Sequence, residues 1–355
     1  MKILLVGPLL PPIHGQSLAF TRFYESITSH KKICIDTNME YKSTFMKYLG
    51  TFKIFFMMLY KIIFYKIDVI YFTCSRSFLG SLKDVLLIHL ATLKKIKLVN
   101  HLHGSDFYEF LHSSPKWYQK RLFSSYSKVD ISVVLLDSMK AQFEDFPTMK
   151  LEVVANFYDK ALNDTYAKKD DKIKNLLYLS NIIKSKGIFE LIDAFEALCK
   201  KYDTIILHIA GGFMADEYMS IEEVKQAFYS KIDNNNKINY VGKVFGKEKV
   251  KLLQKSDIFL LPSYYKSEAF PISIIEAMRC GNAIVTTDYK YLPQVVNNQN
   301  GFLVEIKSVS ALVRSITILL EDTKLLTQMQ LHNTQEAQKR YSLDTYIDRL
   351  HKIVF

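Results

Sequence analysis

Apolar residues fall along this chain in short continuous runs, each followed by a longer stretch where they recur at helical spacing. The runs predict strands at Lys2–Val6, Lys32–Thr37, Asp68–Thr73, Lys97–Leu102, Asp130–Leu136 and Leu151–Ala155. A second series predicts strands at Asn175–Leu179, Thr204–Ala210, Lys237–Val241, Ile258–Leu261 and Ala283–Thr286. Strands that alternate with helices build parallel sheets with right-handed crossovers. Between the two series, Tyr158–Lys174 is rich in Lys, Asp and Asn, lacks apolar periodicity and reads as an interdomain linker. The fold class is therefore α/β, with two doubly wound Rossmann-like domains at 1–160 and 161–340, then a short C-terminal segment at 341–355. Two such domains on one linker are expected to face each other across a cleft between ligand-binding edges.

Two glutamates stand at one of these edges. The strand Asp257–Ser263 runs into Glu268-Ala-Phe-Pro-Ile-Ser-Ile-Ile-Glu276, and the strand Ala283–Asp288 follows. Pro271 suits the first position of the intervening helix and Gly281 suits its stop. Glu268 then lies on the loop at the carboxyl end of a strand, and Glu276 in the second helical turn. The free N–H groups of a helix start favour an anion there. A phosphate cradle flanked by two carboxylates can hold sugar or ribose hydroxyls. The helix is apolar nearly all round, with Ser273 and Glu276 as a narrow polar stripe, so an inward Glu276 needs hydrogen-bonding partners. The alternative for Glu276 is a solvent-facing rim.

Other loops fall on the same kind of edge. After the first strand comes Gly7–Ser17, with His14, Gly15 and Ser17 before a helical run; Gly15 and Ser17 read as a turn and N-cap. The loop lacks G-x-G-x-x-G spacing, which argues against dinucleotide binding. Leu179-Ser-Asn181-Ile-Ile-Lys184-Ser-Lys186-Gly187 places Lys186 between strand and helix, where it can set a point charge on a phosphate. A loop lysine is otherwise simply solvated. His101-Leu-His103-Gly104-Ser105-Asp106 follows the fourth strand and suits sugar-hydroxyl contacts or proton handling, with His103 favoured over His101. It is no Ser-His-Asp triad, whose members come from separate loops.

Composition narrows the class. The chain has 355 residues, 49% hydrophobic and 13% aromatic, enough for real cores. Cys34, Cys74, Cys199 and Cys280 show no metal or redox spacing and fit a reducing cytoplasm. Met1–Val6 reads as a strand rather than a signal peptide. No uncharged run reaches the ~18–20 residues of a membrane span. Net charge is +11, which can attract nucleic acid, anionic lipid or anionic substrates. No nucleic-acid-binding signature accompanies it. Tyr41–Lys66 interleaves Lys42, Lys47, Lys53, Lys61 and Lys66 with Phe45, Phe52, Phe55, Phe56, Tyr60 and Phe64. It reads either as a helix packed on the sheet or as a basic helix lying on an anionic membrane, and both hold if only part of it touches lipid.

With these residues in place, the chain resembles the retaining glycosyltransferases of family 4, which have the two-domain GT-B fold. The resemblance spans nearly the whole length. It is carried by the E-x7-E pair Glu268 and Glu276 between their two strands, by Gly281, by Asn300–Val304, by the proline-rich loop with His14 and Gly15, and by Lys186-Gly187. It implies that Glu276 binds the nucleotide ribose and Glu268 the donor sugar, with Ala269, Phe270 and Pro271 holding sugar and phosphate. Lys186 would neutralise the departing diphosphate, with Gly15 on the other side. Gly242 and Lys243 would meet the base. His103 would lie near the donor sugar or the acceptor, with His14 and Asp106 as acceptor-side candidates. The C-terminal helix, Leu343–Val354, would cross back to the first domain. One departure stands out: Asn181 occupies the position, five before Lys186, where the family usually has Arg. Leaving-group stabilisation would then rest more on Lys186, the helix start near Pro271 and Lys184.

The implied reaction moves a hexose or N-acetylhexosamine from a nucleotide-diphosphate sugar, UDP-linked before GDP-mannose, to a lipid-linked glycan of a surface polysaccharide such as O-antigen or capsule. The resemblance implies retention at the anomeric carbon; no carboxylate nucleophile stands out on the acceptor face, so same-face displacement assisted by the leaving phosphate is the expected route. No metal or other cofactor is expected. The expected location is the cytoplasm, peripherally on the inner face of an anionic membrane, without nucleic acid. The rival readings are a GT-B nucleotide-sugar epimerase or hydrolase, and a non-catalytic basic membrane-associated adaptor.

Overall fold

Each apolar run becomes a strand, and every strand pairing is parallel. The structure is a computed structural model that describes residues 1–38, 44–163 and 174–355, with side chains from Leu49 onward in the helix after residue 43. Contacts divide the chain into two units: Met1–Ala155 with Asp344–Phe355, and Asn156–Leu343.

The first unit runs β1 (Lys2–Gly7), α1 (Gly15–Ser26), β2 (Lys31–Asp36), α2 (Thr44–Phe64), β3 (Val69–Thr73), α3 (Phe78–Leu93), β4 (Lys97–His101), α4 (Phe107–Ser113), α5 (Lys116–Tyr126), β5 (Ile131–Val134) and β6 (Lys150–Val153). Its sheet order is β2-β1-β3-β4-β5-β6. The central strands are buried on both faces, as covered parallel strands require. The chain steps outward from β1 to β2 and then returns to β3, so the order reverses between β1 and β3. Ligands of open α/β sheets gather outside the carboxyl ends at such a reversal.

The second unit runs β7 (Lys174–Leu179), α6 (Ile188–Cys199), β8 (Ile205–Ala210), α7 (Ile221–Ile232), β9 (Ile238–Gly242), α8 (Gly246–Lys255), β10 (Ile258–Leu261), α9 (Ile272–Arg279), β11 (Ala283–Thr287), β12 (Gly301–Val304), α10 (Val309–Glu321) and α11 (Thr323–Arg340). Its order is β12-β11-β10-β7-β8-β9, which reverses between β7 and β10. The loops after those two strands carry Lys186 and Glu268. The last helix, α12 (Leu343–Val354), packs with the first unit. Tyr346 donates to the Ala19 carbonyl, Ser26 Oγ lies 3.0 Å from His351 Nε2, and Lys97 donates to the carbonyls of Ile353 and Val354.

Of the segment read as a linker, Tyr158 is buried and bridges to Ser342, Lys160–Leu162 forms a single 3-10 turn, and residues 164–173 lie outside the described residues. A patterning search passes over Tyr158 because its partners come from the far end of the unit.

Candidate active site

Two close approaches set the geometry of the β7 and β10 loops. After β7 the chain makes a 3-10 turn, Lys184–Lys186, and Gly187 follows at φ 73°. A Cβ on Gly187 would lie 2.1 Å from the Pro262 carbonyl oxygen just beyond β10. Glycine is therefore required twice, for its left-handed backbone and for contact with the neighbouring loop. Tyr264 N donates to the Ser185 carbonyl at 2.7 Å, and Ser185 N to Asp216 Oδ2 at 2.7 Å. Stitched this way, the loops bring Lys186 Nζ within 2.5 Å of Glu268 Oε2. Ser263 Oγ donates to the same oxygen at 2.6 Å. Glu268 is buried, and the Lys186 ammonium also faces the Tyr265 ring at 5.1 Å.

The helix start is shifted by one residue from the sequence expectation. Pro271 is the N-cap, with extended ψ of 124°, and the first helical residue is Ile272. Proline's fixed φ serves equally well at the cap, and its ring disfavours helical backbone at the residue before it. No side chain caps this helix, and Ile274 N turns back to the Pro271 carbonyl at 3.2 Å, so the N–H groups ahead of it suit another acceptor. Gly281 ends the helix at φ 66°, as expected. Ala269 and Phe270 are buried, and the Phe270 carbonyl accepts from Asn156 Nδ2 at 2.7 Å.

Glu276 lies in the second turn of α9 and is 2% exposed, so the rim alternative fails. Its partner is one the sequence reading missed: Lys249 Nζ, on α8, stands 2.6 Å from Glu276 Oε1. Burial holds the Glu276 carboxyl above the ordinary carboxylate range, and Lys249 pulls it back down. Lys249 sits in a charged run that reads as a solvated face. Its spacing of four from fully buried Leu253 was the available signal.

Around the site, Asn181 is exposed and its carbonyl accepts from Tyr178 at 2.8 Å. Lys184 Nζ lies 5.8 Å from the Tyr218 ring centre. β9 ends at Gly242, φ 71°, whose carbonyl accepts from Gly211 N at 2.8 Å. The Lys243 stem lies against Gly212, where a Cβ would meet its Cε at 2.0 Å.

The first unit gathers its own candidates. His14, not Ser17, is the N-cap of α1: His14 Nδ1 accepts from Ser17 N at 3.2 Å, and Ser17 Oγ accepts from His14 N at 3.0 Å. An imidazole nitrogen thus does the work expected of a hydroxyl, and Gly15 is the first residue of the helix rather than part of a turn. The preceding loop is held by Asp36 Oδ1, which accepts from Leu9 N, and by Asn38 Nδ2, which donates to the Leu9 carbonyl.

His101 is fully buried beside Tyr71, with Nδ1 and the hydroxyl 2.7 Å apart, and burial pushes its pKa down to about 3. His103 lies against it, with ring centres 4.0 Å apart. Burial holds His103 well below the ordinary imidazole value, and its Nε2 is buried with no hydrogen-bond partner among the described residues. Asp106 binds Arg76 Nη1 at 2.7 Å, and the guanidinium rests on Gly104, where a Cβ would lie 1.0 Å away. Arg76 was also missed, although it follows β3 at the reversal of strand order. Among the described residues no group of His, Cys, Asp and Glu could hold a metal ion.

Residues 160–336 match the family model described as glycosyl transferases group 1. An uncharacterized glycosyltransferase of Methanocaldococcus jannaschii is 29% identical over 282 residues, 74% of this chain and 68% of that protein. The N,N'-diacetylbacillosaminyl-diphospho-undecaprenol alpha-1,3-N-acetylgalactosaminyltransferase of Campylobacter jejuni is 31% identical over 168 residues, 47% of this chain and 41% of that protein. The Anabaena protein HepE, solved in complex with UDP, superposes with a TM-score of 0.72 at 16% identity, covering 99% of each chain. With its switch-point loops and paired glutamates, and through the match across 160–336, this chain belongs to the group 1 glycosyltransferases and has the GT-B fold.

Proposed function

We propose that this chain is a retaining, metal-independent hexosyltransferase that takes a hexose or N-acetylhexosamine from a UDP-sugar and places it on a lipid-linked glycan of a surface polysaccharide. The observation that carries the reading is the set of groups at the β7/β10 switch point: Lys186 on Glu268, buried Glu276, and an uncapped helix start. The chemistry divides among them. Negative charge grows on the departing diphosphate, and fixed cations and N–H groups lower that barrier. Lys186 and the first turn of α9 supply both. Glu268, held by Lys186 and Ser263, accepts hydroxyls of the donor sugar. Glu276 accepts those of the ribose. Asn181 is uncharged, so Lys186 carries more of the leaving-group stabilisation. Neutral His103, with Arg76 and Asp106, offers hydroxyl-binding groups for the acceptor. The UDP preference draws on HepE, and the lipid-linked acceptor on the name of the Campylobacter relative.

A membrane-surface location is supported by α2. Its outward face carries Leu49, Phe52, Phe56, Tyr60, Ile63 and Phe64, with Phe56 and Phe64 69% and 71% exposed. Ile54, Met58 and Ile62 are buried on the opposite side, so the helix packs on one face and leaves an aromatic stripe on the other. Five lysines and no carboxylate lie within 41–66. Large apolar side chains in a basic, acid-free helix suit the interface of an anionic bilayer. Among the described residues no helix is long and apolar enough to cross a membrane.

A thermal-shift screen across UDP- and GDP-sugars, followed by transfer of labelled sugar to an extracted lipid acceptor, tests the reading. A UDP-sugar should stabilise the protein and yield a glycoside with the donor's anomeric configuration. Release of free sugar or an epimer without a glycoside favours the hydrolase or epimerase. Failure to bind any nucleotide sugar favours the adaptor.

A further inference from the structure

We infer that Lys249 is a positioning residue for the donor: its ammonium fixes Glu276 so that the carboxylate stays set to accept the ribose hydroxyls. The inference rests on the donor-site reading above and adds a residue to it. Lys249 stands on α8 and Glu276 on α9, 27 positions apart in sequence (276 − 249), and they meet at 2.6 Å. The Glu276 side chain is 3% exposed and that of Lys249 20%. The ammonium takes one oxygen, Oε1.

A carboxylate this buried cannot keep its charge without a counter-ion; protonated, it becomes a donor and loses acceptor capacity. A vicinal diol needs acceptors. Two charged groups from other segments act on Glu276: Lys249 from α8, which favours ionisation, and Asp159 from the segment before the 160–162 turn, which opposes it. Burial still holds the carboxyl above its ordinary value, and Lys249 is the group that opposes it.

The test is calorimetric titration of UDP into the full chain, with steady-state kinetics across the acid limb, for wild type, Lys249→Met, Lys249→Arg and Glu276→Gln. Lys249→Met should bind UDP about 10- to 100-fold more weakly, the range for stranding a buried charged group. Its KM for donor should rise with kcat little changed, and its acid limb should move to higher pH. Lys249→Arg should restore both. A merely structural role in α8 would lower the unfolding midpoint and leave the acid limb in place. Wild-type UDP affinity and an unmoved limb in Lys249→Met would overturn the proposal while leaving Glu276 in the site, provided Glu276→Gln loses UDP. Undiminished UDP binding by Glu276→Gln would overturn the donor-site reading as well. If Lys249→Met fails to fold, K249M/E276Q removes both charges together. It should bind UDP no more weakly than E276Q alone, and an additional loss would contradict action through Glu276.

Discussion

At the scale of single residues, the roles proposed for Lys186 and Glu276 separate by kinetics. On the proposed reading Lys186 meets the leaving group, whose charge is largest in the transition state, so Lys186→Ala should lower kcat by about 10²- to 10³-fold with a modest change in KM. On the same reading Glu276 grips a part of the donor that does not react, so Glu276→Ala should raise the donor KM steeply with kcat much less changed. Initial rates over a range of donor concentrations distinguish the two; equal and near-normal values in both variants would remove these assignments. His103 makes a separate claim. Burial beside His101, Arg76 and His14 disfavours its cation, so its ring stays neutral as pH falls through the ordinary imidazole value of 6.5. Ring-nitrogen NMR should show no imidazolium for His103 there. A titration near that value would contradict its neutral role.

At the scale of elements, Gly187 joins the lysine-bearing turn to the neighbouring loop. Ala at this position meets both a positive φ and the Pro262 carbonyl oxygen. Gly187→Ala should cost about 1–3 kcal/mol or more in denaturant unfolding, since strain and close contact act together. A neutral result would mean that the loops can separate. The strands, their parallel sense and the placing of Lys186, Glu268 and Glu276 were all legible in the sequence, because continuous apolar runs and glycine or proline punctuation are local signals. Lys249, Ser263 and Arg76 were not. Their functional partners, Glu276, Glu268 and Asp106, become neighbours only through packing of separate segments, and a charged run such as 247–251 looks the same whether it is solvated or turned inward. The His14 cap was hidden for a related reason: a hydroxyl three residues on is the commoner capping signal. The α2 helix was legible in composition but ambiguous in face. The structure resolves the ambiguity at residue level, with Met58 at 0% exposure and Phe56 at 69%. Phe56→Asp with Phe64→Asp should abolish flotation with anionic vesicles and leave UDP binding intact; unchanged flotation would take α2 out of the membrane reading.

At the scale of the whole molecule, two doubly wound units of different strand order each carry candidate residues at a reversal, β1/β3 in one and β7/β10 in the other. The family match lies across 160–336, the unit that holds the glutamates and Lys186. Net charge of +11 adds a long-range attraction to anionic surfaces. Screening sets in over about 8 Å at physiological salt, so vesicle binding should weaken as salt rises, while the aromatic contribution persists. Binding indifferent to both salt and lipid charge would contradict an electrostatic share. The most direct test of the account is a crystal structure of the chain with UDP bound. The account places the ribose hydroxyls on Glu276, with Lys249 still at its Oε1, and the diphosphate between Lys186 and the first turn of α9. UDP seated at another edge, or its ribose held by other side chains while Glu276 stays paired and untouched, would contradict it.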